Sequence, residues 1–117
     1  MKSIGIISVP VTDQQKAKDF YLKMGLKLVN ETPMGNGQTW VQLAFPDGGV
    51  DIALVNWFNK MPAGSLQGVT ILCNDINATI AELSAKGINA GKPDKTPWGT
   101  FAHVADIDGN GWILHQQ

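Results

Sequence analysis

The chain has a single cysteine, Cys73, two histidines, His103 and His115, and two glutamates, Glu31 and Glu82. One cysteine excludes a disulfide framework and a cysteine-based zinc site. No apolar run approaches the roughly 18–20 residues needed to cross a bilayer. The N-terminal MKSIGIISVPV, with one early lysine and Pro10 close behind, reads as a first strand rather than a signal peptide, so a cytoplasmic protein is expected. The formal net charge is −1 and no Lys/Arg cluster stands out, which leaves no electrostatic footprint for nucleic acid. No glycine-rich stretch joins a strand to a helix with phosphate-loop spacing. What remains is an ordinary globular composition: 117 residues, 44% hydrophobic and 16% charged, suit one domain over 1–117 with a core that needs no disulfides.

Punctuation along the chain divides it into strands and two helices. Ile4 to Val11 is β-branched and apolar. Thr12 and Gln15 have capping-box spacing, and Ala17, Phe20, Tyr21 and Met24 then recur at helical intervals up to the stop at Gly25. A short strand, Leu26 to Val29, precedes a loop marked by Pro33, Gly35 and Gly37. Thr39 to Phe45 and Val50 to Val55 form a hairpin about Pro46-Asp47-Gly48-Gly49. After a connector from Trp57 to Ser65 the order recurs. Gly68 to Cys73 is a strand. A helix capped by Asn74 or Asp75 carries Ile76, Ile80 and Leu83 and stops at Gly87. A short strand, Ile88 to Ala90, precedes a loop with Pro93, Pro97 and Gly99. Two last strands, Thr100 to Ala105 and Trp112 to Gln116, flank Asp108-Gly109-Asn110-Gly111.

The recurrence has a register. Asp13 and Asp75, and Gly25 and Gly87, are 62 residues apart; Asp47 and Asp108, and Trp40 and Phe101, are 61 apart. Cap, helix stop, hairpin turn and aromatic therefore repeat together. A period near sixty residues exceeds that of solenoids and indicates duplication of one βαβββ unit, with module 1 at about 1–60 and module 2 at about 66–117.

Val9-Pro10-Val11-Thr12-Asp13, followed by Phe20-Tyr21 and Gly25-Leu26, together with Asp106-Ile107-Asp108-Gly109-Asn110, resembles the vicinal oxygen chelate superfamily. This is the group of glyoxalase I, bleomycin and fosfomycin resistance proteins and extradiol dioxygenases. The resemblance covers nearly the whole chain; Ile107 departs from the proline usual there. It implies an α+β fold in which two tandem βαβββ modules curl into a U-shaped cleft. In short chains it also implies a homodimer that completes each cleft.

Metal-using members of the superfamily hold one divalent ion with His, Gln or Glu on the outer strands of each module. Counting from Asp13 and Asp75 places the first-strand positions at Ile6 and Val69. Five residues beyond Asp47 and Asp108, the last-strand positions are Ile52 and Ile113. All four are aliphatic and have no lone pair to donate. Among their neighbours only Asp51 has a side chain able to ligate, and one carboxylate does not make a site. No metal and no cofactor are expected, and an enzyme is disfavoured without being excluded.

Strand alternation assigns Ile6, Ser8, Thr39, Val41, Leu43, Ile52, Leu54, Val69, Ile71, Ala102, Val104, Ile113 and His115 to the concave face. Of these, Ser8, Thr39, Val41, Leu43, Ile52, Leu54, Val104, Ile113 and His115, with Trp57 and Trp98 on the rim, make the candidate ligand site: apolar walls with a few polar handles. Trp40 and Trp112 take the opposite parity and are expected beneath the helices, and His103 is expected toward the helices or solvent. Asp106 and Asp108 suit turn backbone bonds rather than a catalytic pair. The leading expectation is a protein that binds a small apolar or aromatic molecule, with sequestration of an antibiotic or metabolite as its role. Three alternatives stay open: a metal-dependent lyase or dioxygenase, a metal-free enzyme using His115, and an interaction protein whose cleft is filled by its own side chains.

Overall fold

Asp13 starts the first helix. In the computed structural model, which describes residues 1–117, its carboxylate accepts the backbone N–H groups of Gln15 and Lys16 at 3.0 and 3.1 Å. A carboxylate there satisfies two orphan donors and complements the helix dipole. The expected Thr12–Gln15 capping box does not form; the Gln15 side chain instead donates to Glu31. The helix, α1, runs Gln14–Met24 and ends at Gly25. It follows β1 (Ile6–Pro10) and precedes β2 (Lys27–Gly35), β3 (Gln38–Ala44) and β4 (Asp51–Val55).

The second module repeats this with β5 (Val69–Leu72), α2 (Ile76–Ala85), β6 (Asp94–Thr96), β7 (Gly99–Ala105) and β8 (Gly111–Gln116). Each module makes one four-stranded sheet, ordered β1-β4-β3-β2 and β5-β8-β7-β6, with the first strand parallel to the last and the other pairs antiparallel. The molecule is α+β, two βαβββ units.

Two local expectations change. The loop expected after Val29 is strand: β2 extends through Pro33 to Gly35, and a tight turn at Asn36 (φ 53°) and Gly37 (φ 75°) returns the chain into β3. Positive φ at both central residues is the geometry of a type I′ hairpin turn, and proline is tolerated because β2 is an edge strand. The strand expected at Ile88–Ala90 is absent. Ile88 is buried under α2, and pairing resumes later, at β6.

Each helix covers one face of its own sheet. Ala17 and Tyr21 of α1 pack on Val9, Val41, Leu43, Ile52 and Leu54; Ile76 and Leu83 of α2 pack with Ala102, Val104 and Leu114. Trp112, on β8, belongs to the first module's core, and its ring meets Tyr21 and Phe45 edge-on. The modules are therefore joined on the helix side.

Candidate functional site

Burial decides which face of each sheet is free. Val41, Leu43, Ile52, Leu54 and Val104 are all at most 2% exposed and lie in the helix-facing cores. Thr39 has the parity of Val41, and its carbonyl accepts from the Gln14 side chain. The expected concave placement of these six residues, and of Ala102, Val69 and Ile71, is thus inverted. Ser8, Ile113 and His115 do lie on the open face, away from the helices, as does Ile6.

Two count mismatches account for the β4 and β5 assignments. Ile6 lies seven residues before Asp13 whereas Val69 lies six before Asp75, so the two are not equivalent, and the spacing from turn to last strand also differs between the modules. Ile7 pairs with Ile52, and its repeat equivalent Val69 pairs with Trp112. The repeat spacing is 62 residues along the first strands but only 60 along the last. Module 2 has lost a residue between turn and strand, so equal counts from Asp47 and Asp108 reach opposite faces.

Register defines what the open faces carry. In sheet 1, Ile6 lies beside Asp51, Ser8 beside Ala53, and Thr32 beside Trp40. Trp40 is therefore not beneath a helix. Its Nε1 donates to Gln42 Oε1 at 3.0 Å, and Gln42 Nε2 donates to Asp51 Oδ2 at 2.7 Å. This chain orients the indole as a half-exposed wall with a carboxylate at its far end.

In sheet 2, Thr70 lies beside Ile113 and Leu72 beside His115, while Phe101 lies opposite His115 and His103 opposite Ile113. His103 thus shares the open face and is exposed. The Phe101 and His115 rings stack, 4.4 Å apart and within 8° of parallel. Nε2 of His115 lies 3.3 Å from the Trp98 carbonyl; with its proton on Nε2 the imidazole donates there. Trp98 tips the β6–β7 hairpin at 79% exposure, held by Thr96, whose hydroxyl accepts from the Trp98 N–H. Trp57 is half-buried and its ring centroid lies 6.1 Å from that of exposed Phe58.

The donor set does not suit a resident metal within one chain. Ile6 and Ile113 face outward without lone pairs, Ile52 and Val69 face the helices, and nowhere do three His, Cys, Asp or Glu side chains converge. His115 has a backbone carbonyl as its hydrogen-bond partner, with no carboxylate to complete an acid–base pair.

Asp106 binds the turn backbone, as expected, and it and Asn110 also reach across to the other module; Asp108, expected to do the same within the turn, instead accepts the Thr12 N–H of the first module through Oδ1 at 3.1 Å. Asp106 Oδ1 accepts from the Asp108 and Asn110 N–H groups, and Oδ2 accepts from Asn110 Nδ2 and the Tyr21 hydroxyl. Asn110 Nδ2 also donates to the Pro10 carbonyl. Burial, reinforced by the Asp106 carboxylate, pushes the Tyr21 phenol far above its ordinary range, so it stays a donor.

Sequence reasoning missed Trp40, Gln42, Asp51 and Phe101 as an open-face set. Their polar-aromatic alternation against Val41 and Leu43 was the available signal.

A family model for the Glyoxalase/Bleomycin resistance protein/Dioxygenase superfamily matches residues 3–114. The structure of TnmS3, an antibiotic binding protein from Streptomyces sp. CB03234, is 39% identical with a TM-score of 0.92, over 99% of this chain and 96% of that one. A glyoxalase/bleomycin resistance protein from the same organism is 41% identical with a TM-score of 0.87, over 97% and 100%. The YetH protein of Bacillus subtilis strain 168 is 35% identical over 121 residues, 99% of each chain. The chain belongs to the Glyoxalase/Bleomycin resistance protein/Dioxygenase superfamily.

Proposed function

We propose that this protein is a metal-independent binder of a flat, apolar or aromatic small molecule, which it sequesters on the open faces of its sheets. The observation that carries the reading is the aromatic surface left uncovered there: the stacked Phe101–His115 pair, Trp98 above it, and Trp40 on the other sheet. Flat aromatic rings stack on such surfaces, and Gln42, Asp51, Ser8 and His115 supply directional polar contacts. Similarity to an antibiotic binding protein supports sequestration of an antibiotic-like compound.

A homodimer in the cytoplasm is part of this reading. The radius of gyration, 14.6 Å, exceeds the about 13.4 Å of a compact chain of this length. Apolar side chains stay exposed on β2, Leu28 and Val29 among them. Pairing two copies covers such surface and turns faces into clefts.

A thermal-shift screen with flat aromatic compounds tests the reading, run on wild type and on Trp40→Ala, Trp57→Ala and Trp98→Ala. Stabilisation by a hit, weakened in Trp40→Ala and Trp98→Ala, is the expected result. No hit at all favours a protein whose faces serve only protein contacts. Stoichiometric Ni, Zn, Mn or Fe in protein purified without chelator overturns metal independence.

A further inference from the structure

A second concavity lies mainly on the helix side of the sheets and reaches the β5 edge, where Thr70 and Leu72 of the open face join its border. It occupies the seam between the modules, with a volume of about 960 Å³. Met24, Phe45, Ile52, Val69, Ile71 and Trp112 line it. Met24, Phe45, Val69 and Ile71 pack against the first module's core yet stay only half-buried, because the modules do not close over them. A space of this size is at the large end of small-molecule sites, and apolar walls are the usual lining.

The charge at this seam has one sign. Asp47, on the β3–β4 turn, and Asp75 and Glu82, on the cap and body of α2, border the cavity, and none of its 24 lining residues is basic. Lys23 and Lys27 flank the segment Met24–Leu26 in sequence, but neither lines the space. Asp75 is committed to capping α2. Asp47 and Glu82 are exposed and take no part in the chain's one ion pair, Lys18–Glu31. Greasy walls beneath a carboxylate border complement an apolar body with a delocalised positive charge. They disfavour an anion of the same shape.

We propose that the seam between Met24, Phe45, Ile71 and Trp112 is a second binding site, distinct from the aromatic open-face site, for a small lipophilic cation. Asp47 and Glu82 select its charge, and Ala78, exposed on α2 at the cavity lining, is the position where added bulk closes it.

Tetraphenylphosphonium and tetraphenylborate share size and shape and differ in charge sign, so calorimetric titration with each is the test. The cation is expected to bind at least about tenfold more tightly than the anion, as two partly solvated carboxylates allow. Asp47→Asn combined with Glu82→Gln, two exposed changes that leave the core intact, should bring the two affinities together. Ala78→Trp should weaken the cation at least about tenfold, while Trp98→Ala leaves it unchanged. Equal binding of both ions overturns the proposal. So does loss of cation binding in Trp98→Ala with none in Ala78→Trp, which assigns the cation to the open face instead. A drop in oligomeric state on Ala78→Trp, read by sedimentation, also overturns it, because the seam is then covered by a second copy. Failure of the open-face screen leaves all these outcomes readable.

Discussion

The Tyr21 hydroxyl, from the first module, donates to the Asp106 carboxylate of the second across 2.5 Å, and both residues are buried. The same hydroxyl accepts from Trp112 Nε1 at 2.9 Å. A chain of donors thus runs from Trp112 through Tyr21 to Asp106, and Asn110 closes it from the other side. This network links the two modules through buried polar groups, beside the apolar packing of Trp112 in the first module's core.

Tyr21→Phe removes the middle of that chain, strands the buried Trp112 N–H and takes one of the two donors from Asp106 Oδ2, which keeps Asn110 Nδ2. The expected loss is about 1–3 kcal/mol in urea denaturation, with a larger loss for Asp106→Ala, which also frees the N–H groups of Asp108 and Asn110. Near-wild-type stability for both variants would mean the module interface is held by apolar packing alone.

Alkaline pH should act through the same phenol. Its folded pKa is raised above the ordinary value of 10.0, chiefly by burial. An acid held protonated in the fold contributes stability that is fully present below the unfolded value. That stability is lost as the pH climbs beyond it, where the unfolded chain binds fewer protons, with a limiting slope of about 1.4 kcal/mol per pH unit. Because Tyr21 is the only tyrosine, phenolate absorbance should appear together with unfolding rather than before it. Tyr21→Phe should show a shallower fall in urea midpoint above about pH 10.

Gly64 ties the linker to the β7–β8 turn. It has φ +83°, and a Cβ there would sit 2.1 Å from the Asp108 carbonyl oxygen. Gly64→Ala is therefore strained both by backbone and by contact, and should cost about 1–3 kcal/mol in chemical denaturation. A neutral result would require the linker to move off the turn, which loss of the Gln67 contacts to the Gly64 and Gly109 carbonyls would report.

Two tryptophans should separate stability from binding. Trp112 is 1% exposed and Trp98 79%. Trp112→Ala should cost about 3–5 kcal/mol, whereas Trp98→Ala should stay within about 0.5 kcal/mol of wild type and show its effect only in the ligand screen.

Much of the fold was legible along the chain. Asp13, Gly25, Asp75 and Gly87 bound the helices because caps and stops are local chemistry. The Asn36-Gly37 turn was equally local, but Pro33 disguised the edge strand leading to it. The candidate site was less legible. Val41, Leu43, Ile52, Leu54 and Val104 look like cleft lining as readily as helix-facing core, since both are apolar. Only a helix lying on them distinguishes the two.

The sequence by itself determined the two βαβββ units, their caps and turns, and the aliphatic character of Ile6, Ile52, Val69 and Ile113. These follow from local propensity and from residue identity. Tertiary structure decided which face is open. Strand side chains alternate with period two, so the one residue missing from the β7–β8 connection reverses the assignment for a whole strand. It also decided that Trp112 and Asp106 of one module should meet Tyr21 of the other. That meeting is a packing event between residues 85 or more positions apart, and no local pattern encodes it.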